Sequence, residues 1–177
     1  MAVGEARPGY ELWRPNREKS ESQTTRFLVV LLLVVSAALM LIITLGGWNV
    51  LVGGSTYGII ALVMTGVYVL LAVMTWRWSR GALSLTIALS VLFGILCAVG
   101  ADSWFARDKA YFTDPNLPAD LLGLLVLILI PVQVALLIVS AIAFNQEWHV
   151  EEERAIGSGK AGGDGDNVEP GSLAGAS

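Results

Sequence analysis

Charge is scarce in this chain, and it is scarce in blocks. Asp, Glu, Lys and Arg make up 15% of the 177 residues, against about 25% in ordinary soluble domains. None lies between Arg26 and Arg77, a gap of 50 residues, nor between Arg80 and Asp102, nor between Asp120 and Glu147. A water-exposed surface does not run that far without charge, so a soluble globular domain is excluded. Eleven Lys and Arg against fifteen Asp and Glu leave a net charge of −4 with no basic stripe, which removes nucleic acid from the expected partners. Cysteine and histidine occur once each, as Cys97 and His149. A lone cysteine excludes a dithiol oxidoreductase, and a lone histidine excludes a two-histidine haem site. No ionisable residue falls inside an apolar run, whereas pumps and proton relays carry one there. No glycine-rich phosphate loop and no metal-ligand spacing appears. No catalytic, cofactor-binding or metal-binding residue is therefore expected, no cofactor is expected, and the chain does not read as an enzyme.

Long apolar runs are what the sequence does have. Hydrophobic residues make up 55% of the chain. A helix crossing a hydrocarbon core about 30 Å thick needs about 20 apolar residues. The 50-residue gap holds two such helices, broken by the turn-rich Gly46-Gly47-Trp48-Asn49 and Gly53-Gly54-Ser55-Thr56. We place the spans at 27–45, 58–76, 82–101 and 121–145. The first and last hold 14 and 17 Leu, Ile, Val or Phe residues, the middle two nine and ten. At roughly −0.4 kcal/mol per such residue, the first span inserts with about −5 to −6 kcal/mol. The weaker middle pair is expected to insert as a hairpin around Arg77–Gly81. The fold class expected is an all-α membrane protein, an antiparallel four-helix transmembrane bundle.

Lys and Arg set the orientation. Arg7, Arg14, Arg17, Lys19 and Arg26 precede the first span, Arg77 and Arg80 follow the second, and Arg154 and Lys160 follow the fourth. That side holds nine, and the other only Arg107 and Lys109. Both termini are thus expected in the cytoplasm: a polar tail over 1–26, uncleaved at its junction with the first span, and a tail over 146–177. Bases near Arg26 are expected to touch anionic lipid headgroups. Residues Glu147 to Arg154 read as a continuation of the fourth helix into water, and the Gly/Ser/Ala/Asp-rich stretch from about 157 reads as disordered. Trp48, Tyr57, Trp76, Trp78, Trp104 and Trp148 fall near span ends, where indole and phenol rings favour the headgroup level.

The outer loop Asp102–Asp120 is the one sizeable extramembrane segment of mixed chemistry. Its Trp104-Phe105 through Lys109, Phe112 through Pro115, Leu117-Pro118 and Leu121-Leu122-Gly123 resemble small four-span proteins of high-GC bacteria. That resemblance covers one loop and a helix start, and implies a bacterial inner membrane and no activity.

Lipid tails are as apolar as leucine, so helices in a membrane are joined by close backbone approach and polar side chains. Ala82, Thr86, Ser90, Gly94 and Ala98 recur every four residues in the third span and read as a packing ridge. A polar groove for a substrate is the competing reading. In the fourth span Pro131 is a kink candidate, and Gln133, the one carboxamide deep in a span, is a candidate polar contact to a neighbouring helix. A hinge with a polar gate is the alternative there. Taken together, these features predict an accessory or scaffolding subunit in a lipid bilayer. It would pack against a membrane-protein partner or a second copy. The alternative is a homo-oligomeric transporter or channel component lining an uncharged path with Thr65, Thr86, Ser90 and Gln133. A lipid-directed enzyme using Asp102 or Asp108 is a distant third.

Overall fold

In a bilayer no water satisfies a bare peptide group, so an uncharged run must close its own hydrogen bonds as a helix. The structure, a computed structural model, describes residues 10–51, 54–106, 115–146, 148 and 152–155. In chain order these form β1 (Tyr10–Trp13), α1 (Pro15–Glu18), α2 (Ser20–Gly46), a 3-10 turn (Trp48–Val50), α3 (Ser55–Trp76), α4 (Arg80–Phe105), α5 (Ala119–Asn145) and β2 (Glu152–Ala155). Helices α2 to α5 are each long and apolar enough to cross a membrane. At 1.5 Å per residue, the 27 residues of α2 or α5 reach about 40 Å, so helical structure outruns the hydrocarbon and takes in polar residues at the ends.

The chain forms two compact units, 1–15 with 151–177, and 16–150. The first holds β1 and β2, paired antiparallel from Tyr10↔Ala155 to Trp13↔Glu152. This corrects the expected helical continuation over Glu147–Arg154, because α5 stops at Asn145. Three consecutive glutamates, Glu151 to Glu153, would sit at the negative end of a prolonged helix dipole. Strand pairing satisfies the same backbone groups without that penalty. The disorder expected from about 157 lies outside the described residues.

The second unit is a four-helix bundle in which neighbours run antiparallel. Arg26 Nη1 reaches the carbonyl of Trp76, 3.4 Å away, so the start of α2 meets the end of α3. The amide of Leu117 donates to the carbonyl of Gly46 at 3.0 Å, so the end of α2 meets the approach to α5. Around the bundle the order is α3, α2, α5, α4. The α4–α5 contact is the most extensive, while α3 and α4 touch little.

Both ends of the α2–α5 pair are clasped by polar groups. At one end Thr25 Oγ1 donates to Gln146 Oε1 (2.6 Å), which also accepts from Trp148 Nε1 (3.1 Å). At the other, Asn116 Nδ2 donates to the carbonyl of Leu45 (3.0 Å), and Asn49 Nδ2 to Asn116 Oδ1 (3.1 Å). Glycines receive large side chains at this second end. A Cβ on Gly123 would stand 2.6 Å from the Phe105 ring, and one on Gly47 would stand 2.6 Å from Trp104. Trp104 therefore packs into a notch between helices, which the headgroup reading of the tryptophans did not anticipate. Trp148, just past the end of α5, is 1% exposed and lies edge-on to Trp78 at 5.0 Å and 81°.

Between α3 and α4 the turn is three residues long, and its Trp78 has φ +64°, a left-handed conformation unusual for a bulky residue. It closes the end of α3, where the amides of Trp78 and Ser79 donate to the carbonyls of Thr75 (2.9 Å) and Met74 (3.0 Å), and its half-buried indole packs on Trp148. The outside of the bundle is apolar: in the most hydropathic stretch of each long helix only 28–39% of the residues are buried. The remaining surface, with Val63, Val99, Leu124 and Ile138 exposed, suits lipid and not water.

Candidate functional site

The centre of the bundle holds a neutral polar node that ties three helices. Gln133 on α5 is 1% exposed. Its Oε1 accepts from the Tyr68 hydroxyl of α3 at 3.0 Å, and its Nε2 donates to Ser36 Oγ of α2 at 3.0 Å. Phe93 of α4 meets Tyr68 edge-on, with ring centroids 5.5 Å apart at 88°, so the fourth helix closes on the node through an apolar face. Interhelical hydrogen bonds in membranes contribute about 0.6 kcal/mol on average and up to about 1.7. Two of them at one residue, placed where an unmet polar group is costly, make Gln133 the principal polar link of the bundle. The sequence singled out Gln133 but not its partners. Ser36 is the one serine of 27–45 and Tyr68 the one tyrosine of 58–76. All three lie near mid-span, and matching polar residues by depth would have paired them.

The small-residue ridge divides. Ala82, Thr86 and Ser90 are buried at 1–2% exposure. Gly94 is half-buried, where an added Cβ would sit 3.7 Å from Gln133 Cβ. Ala98 is exposed. Helical geometry explains the drift. A step of four residues turns about 400°, some 40° beyond a full turn, so four steps carry Ala98 about 160° around from Ala82. Cys97 and Ala101 take over the buried face. The hydroxyls of the ridge are held by their own helix: Thr86 Oγ1 donates to the Ala82 carbonyl and Ser90 Oγ to that of Thr86, both at 2.8 Å. Thr65 does the same to Ala61 at 2.9 Å. The residues of the expected polar path are thus brought to the interior, with their hydroxyl donors already occupied. Pro131 lies inside α5, which continues through it as one helix, and its side chain is exposed.

Where α3 and α4 diverge, a cavity of about 180 Å³ opens between the helices, lined by Met40, Thr44, Ala61, Phe93, Cys97 and Trp104 among others. It is mainly apolar, and Thr44 at its wall donates to its own helix at Met40 (2.7 Å). Asp102 is exposed on the last turns of α4, whereas residues 107–114 of the expected outer loop, Asp108 among them, lie outside the described residues; Asp102–Phe105 belong to α4 and Ala119 opens α5. Among the described residues no group of three or more His, Cys, Asp or Glu could hold a metal ion.

No protein-family profile, curated protein or solved structure matches the chain. Four apolar helices make it a small multi-pass membrane protein. The chemistry at its centre is hydrogen bonding between neutral groups, an arrangement that fixes helix positions.

Proposed function

We propose that this membrane protein is a non-enzymatic accessory or scaffolding subunit. Both termini would face the cytoplasm, and its outer helix faces would be available to partner helices. The observation that supports the reading most is the Ser36–Gln133–Tyr68 node. It spends the deepest polar groups of three helices on one another and leaves a neutral, tied interior where a carrier would need free ligands. Purification of a C-terminally tagged copy from its native cells in mild detergent, with mass spectrometry of stoichiometric companions, tests it. A defined companion is expected, and recovery of the chain alone would count against the reading.

A second reading, a homo-oligomeric transporter or channel component, draws on the outward drift of the ridge at Ala98. That drift leaves the small side chain of Ala98 on the outer face, a point where a second copy could approach. Ion or solute flux from the purified protein in liposomes would support it, and silence across both would weaken it. The bacterial inner membrane is the proposed location, on the resemblance of the outer loop.

A further inference from the structure

We propose that Arg26, held on the indoles of Trp76 and Trp78, and the adjacent exposed Arg77 form a binding site for the headgroup phosphate of an anionic phospholipid. The lipid would lie in the leaflet at the arginine end of the bundle. Arg26 is the last charged residue before the 50-residue uncharged run, so it sits where α2 meets the hydrocarbon boundary. Its guanidinium carbon lies 4.5 Å from the Trp76 ring centroid and 4.3 Å from that of Trp78. Contact with two indoles holds the planar cation in one orientation, and such contacts strengthen where water is excluded. Nη1 donates to the Trp76 carbonyl at 3.4 Å, one of the last carbonyls of α3, which have no partner within the helix. Nε is buried with no hydrogen-bond partner. Nε is closed to a headgroup, so the donors left for an anion are those of the terminal nitrogens not bonded to Trp76, a planar pair that matches phosphate oxygens.

Arg77 follows directly on the carbonyl that Arg26 contacts, and its side chain is exposed. Two further guanidinium groups at this end raise the local potential: Arg17 lies 5.5 Å from the Trp78 ring and Arg80 lies 4.3 Å from the Phe144 ring. In the bundle unit the described carboxylates at this end are Glu18 and Glu21, against five Lys and Arg; the described carboxylates at the other end are Asp102 and Asp120. Beside the cations stand Phe27, 54% exposed, and Trp76, 52% exposed. A free anion has no use for that apolar flank, whereas a phospholipid lays its acyl chains there while its phosphate meets the arginines. The flank decides for lipid over soluble phosphate.

The test uses the full-length protein in detergent, titrated separately with phosphatidylglycerol, with phosphatidylcholine of the same acyl chains, and with inorganic phosphate. Binding is read by native mass spectrometry and by the shift in thermal unfolding midpoint. Phosphatidylglycerol is expected to bind and to raise the midpoint above either control. Arg77→Gln, which removes an exposed side chain and leaves the Trp76–Arg26–Trp78 stack intact, is expected to weaken phosphatidylglycerol about fivefold. One base at an anionic surface is worth about 1 kcal/mol, and 1.4 kcal/mol is tenfold. Arg26→Gln should weaken it at least as much, and Arg26→Lys, which keeps the charge but loses the fork, should fall between. Lys19→Gln is expected to change the affinity less than Arg77→Gln. Equal binding of the two lipids, or unchanged phosphatidylglycerol affinity in both Arg26→Gln and Arg77→Gln, would overturn the proposal. Equal protection by inorganic phosphate would overturn its assignment to lipid.

Discussion

At the scale of single residues, a buried polar group in this bundle is judged by whether it has a partner. Gln133 has two, and its replacement by leucine would strand the Tyr68 and Ser36 hydroxyls in an apolar interior. The expected loss is about 1–2 kcal/mol, measured by reversible unfolding in mixed micelles. A double-mutant cycle with Tyr68→Phe should show coupling of about 0.6–1.7 kcal/mol, and additive single effects would remove Gln133 from its linking role. Thr75 and Ser140 are the opposite case. Their hydroxyl oxygens are buried without a hydrogen-bond partner, so their desolvation is uncompensated. Thr75→Val and Ser140→Ala are expected to be neutral or to stabilise by up to about 1 kcal/mol in the same assay, and a loss above that size would point to a partner. Gln133 was visible in the sequence because it is the one carboxamide deep in a span. Its bonds were not, because a linear pattern does not say which helices stand side by side.

At the scale of elements, the helices were legible and their seams were less so. An uncharged run has to become a helix in lipid, so four spans follow from the spacing of charge. The ends lie further out than the uncharged cores: the span placed at 27–45 sits within Ser20–Gly46, and that at 82–101 within Arg80–Phe105. Helical hydrogen bonding does not stop where hydrocarbon does. Small residues were read as one ridge along α4, but helical drift takes Ala98 to the outside, and the tight contacts lie at glycines on other helices. Gly123 holds the Phe105 ring and Gly94 has ordinary room beside Gln133. Gly123→Val is therefore expected to destabilise by about 1–3 kcal/mol through overpacking, with partial rescue by Phe105→Ala. Gly94→Ala should stay within about 0.5 kcal/mol of the parent. Equal tolerance at both positions would break this account of the α4–α5 seam.

At the scale of the whole molecule, orientation is carried by charge. With four crossings, nine of the eleven Lys and Arg residues count toward one side, which predicts that side to be cytoplasmic. With Cys97 replaced by alanine, a cysteine at Ser55 is expected to react with a membrane-impermeant maleimide in intact cells. A cysteine at Ser79 should react only after permeabilisation. The reverse pattern would invert the topology, and labelling of both from outside would overturn the four-span arrangement.

The sequence alone determined that this chain is a multi-pass membrane protein and that it holds four runs able to span as helices. Each of these depends on composition along the chain and on the cost of charge in hydrocarbon, and neither needs a neighbour. Only the tertiary structure decided that Gln133 meets Tyr68 and Ser36, that Ala98 faces outward, that Glu152–Ala155 pairs with β1, and that Arg26 stacks between two tryptophans. Those outcomes depend on which helices are adjacent and on the rotation of each about its axis. In lipid an apolar helix face does not choose its neighbour by hydrophobicity, so both are settled by close packing and a few polar contacts between distant parts of the chain.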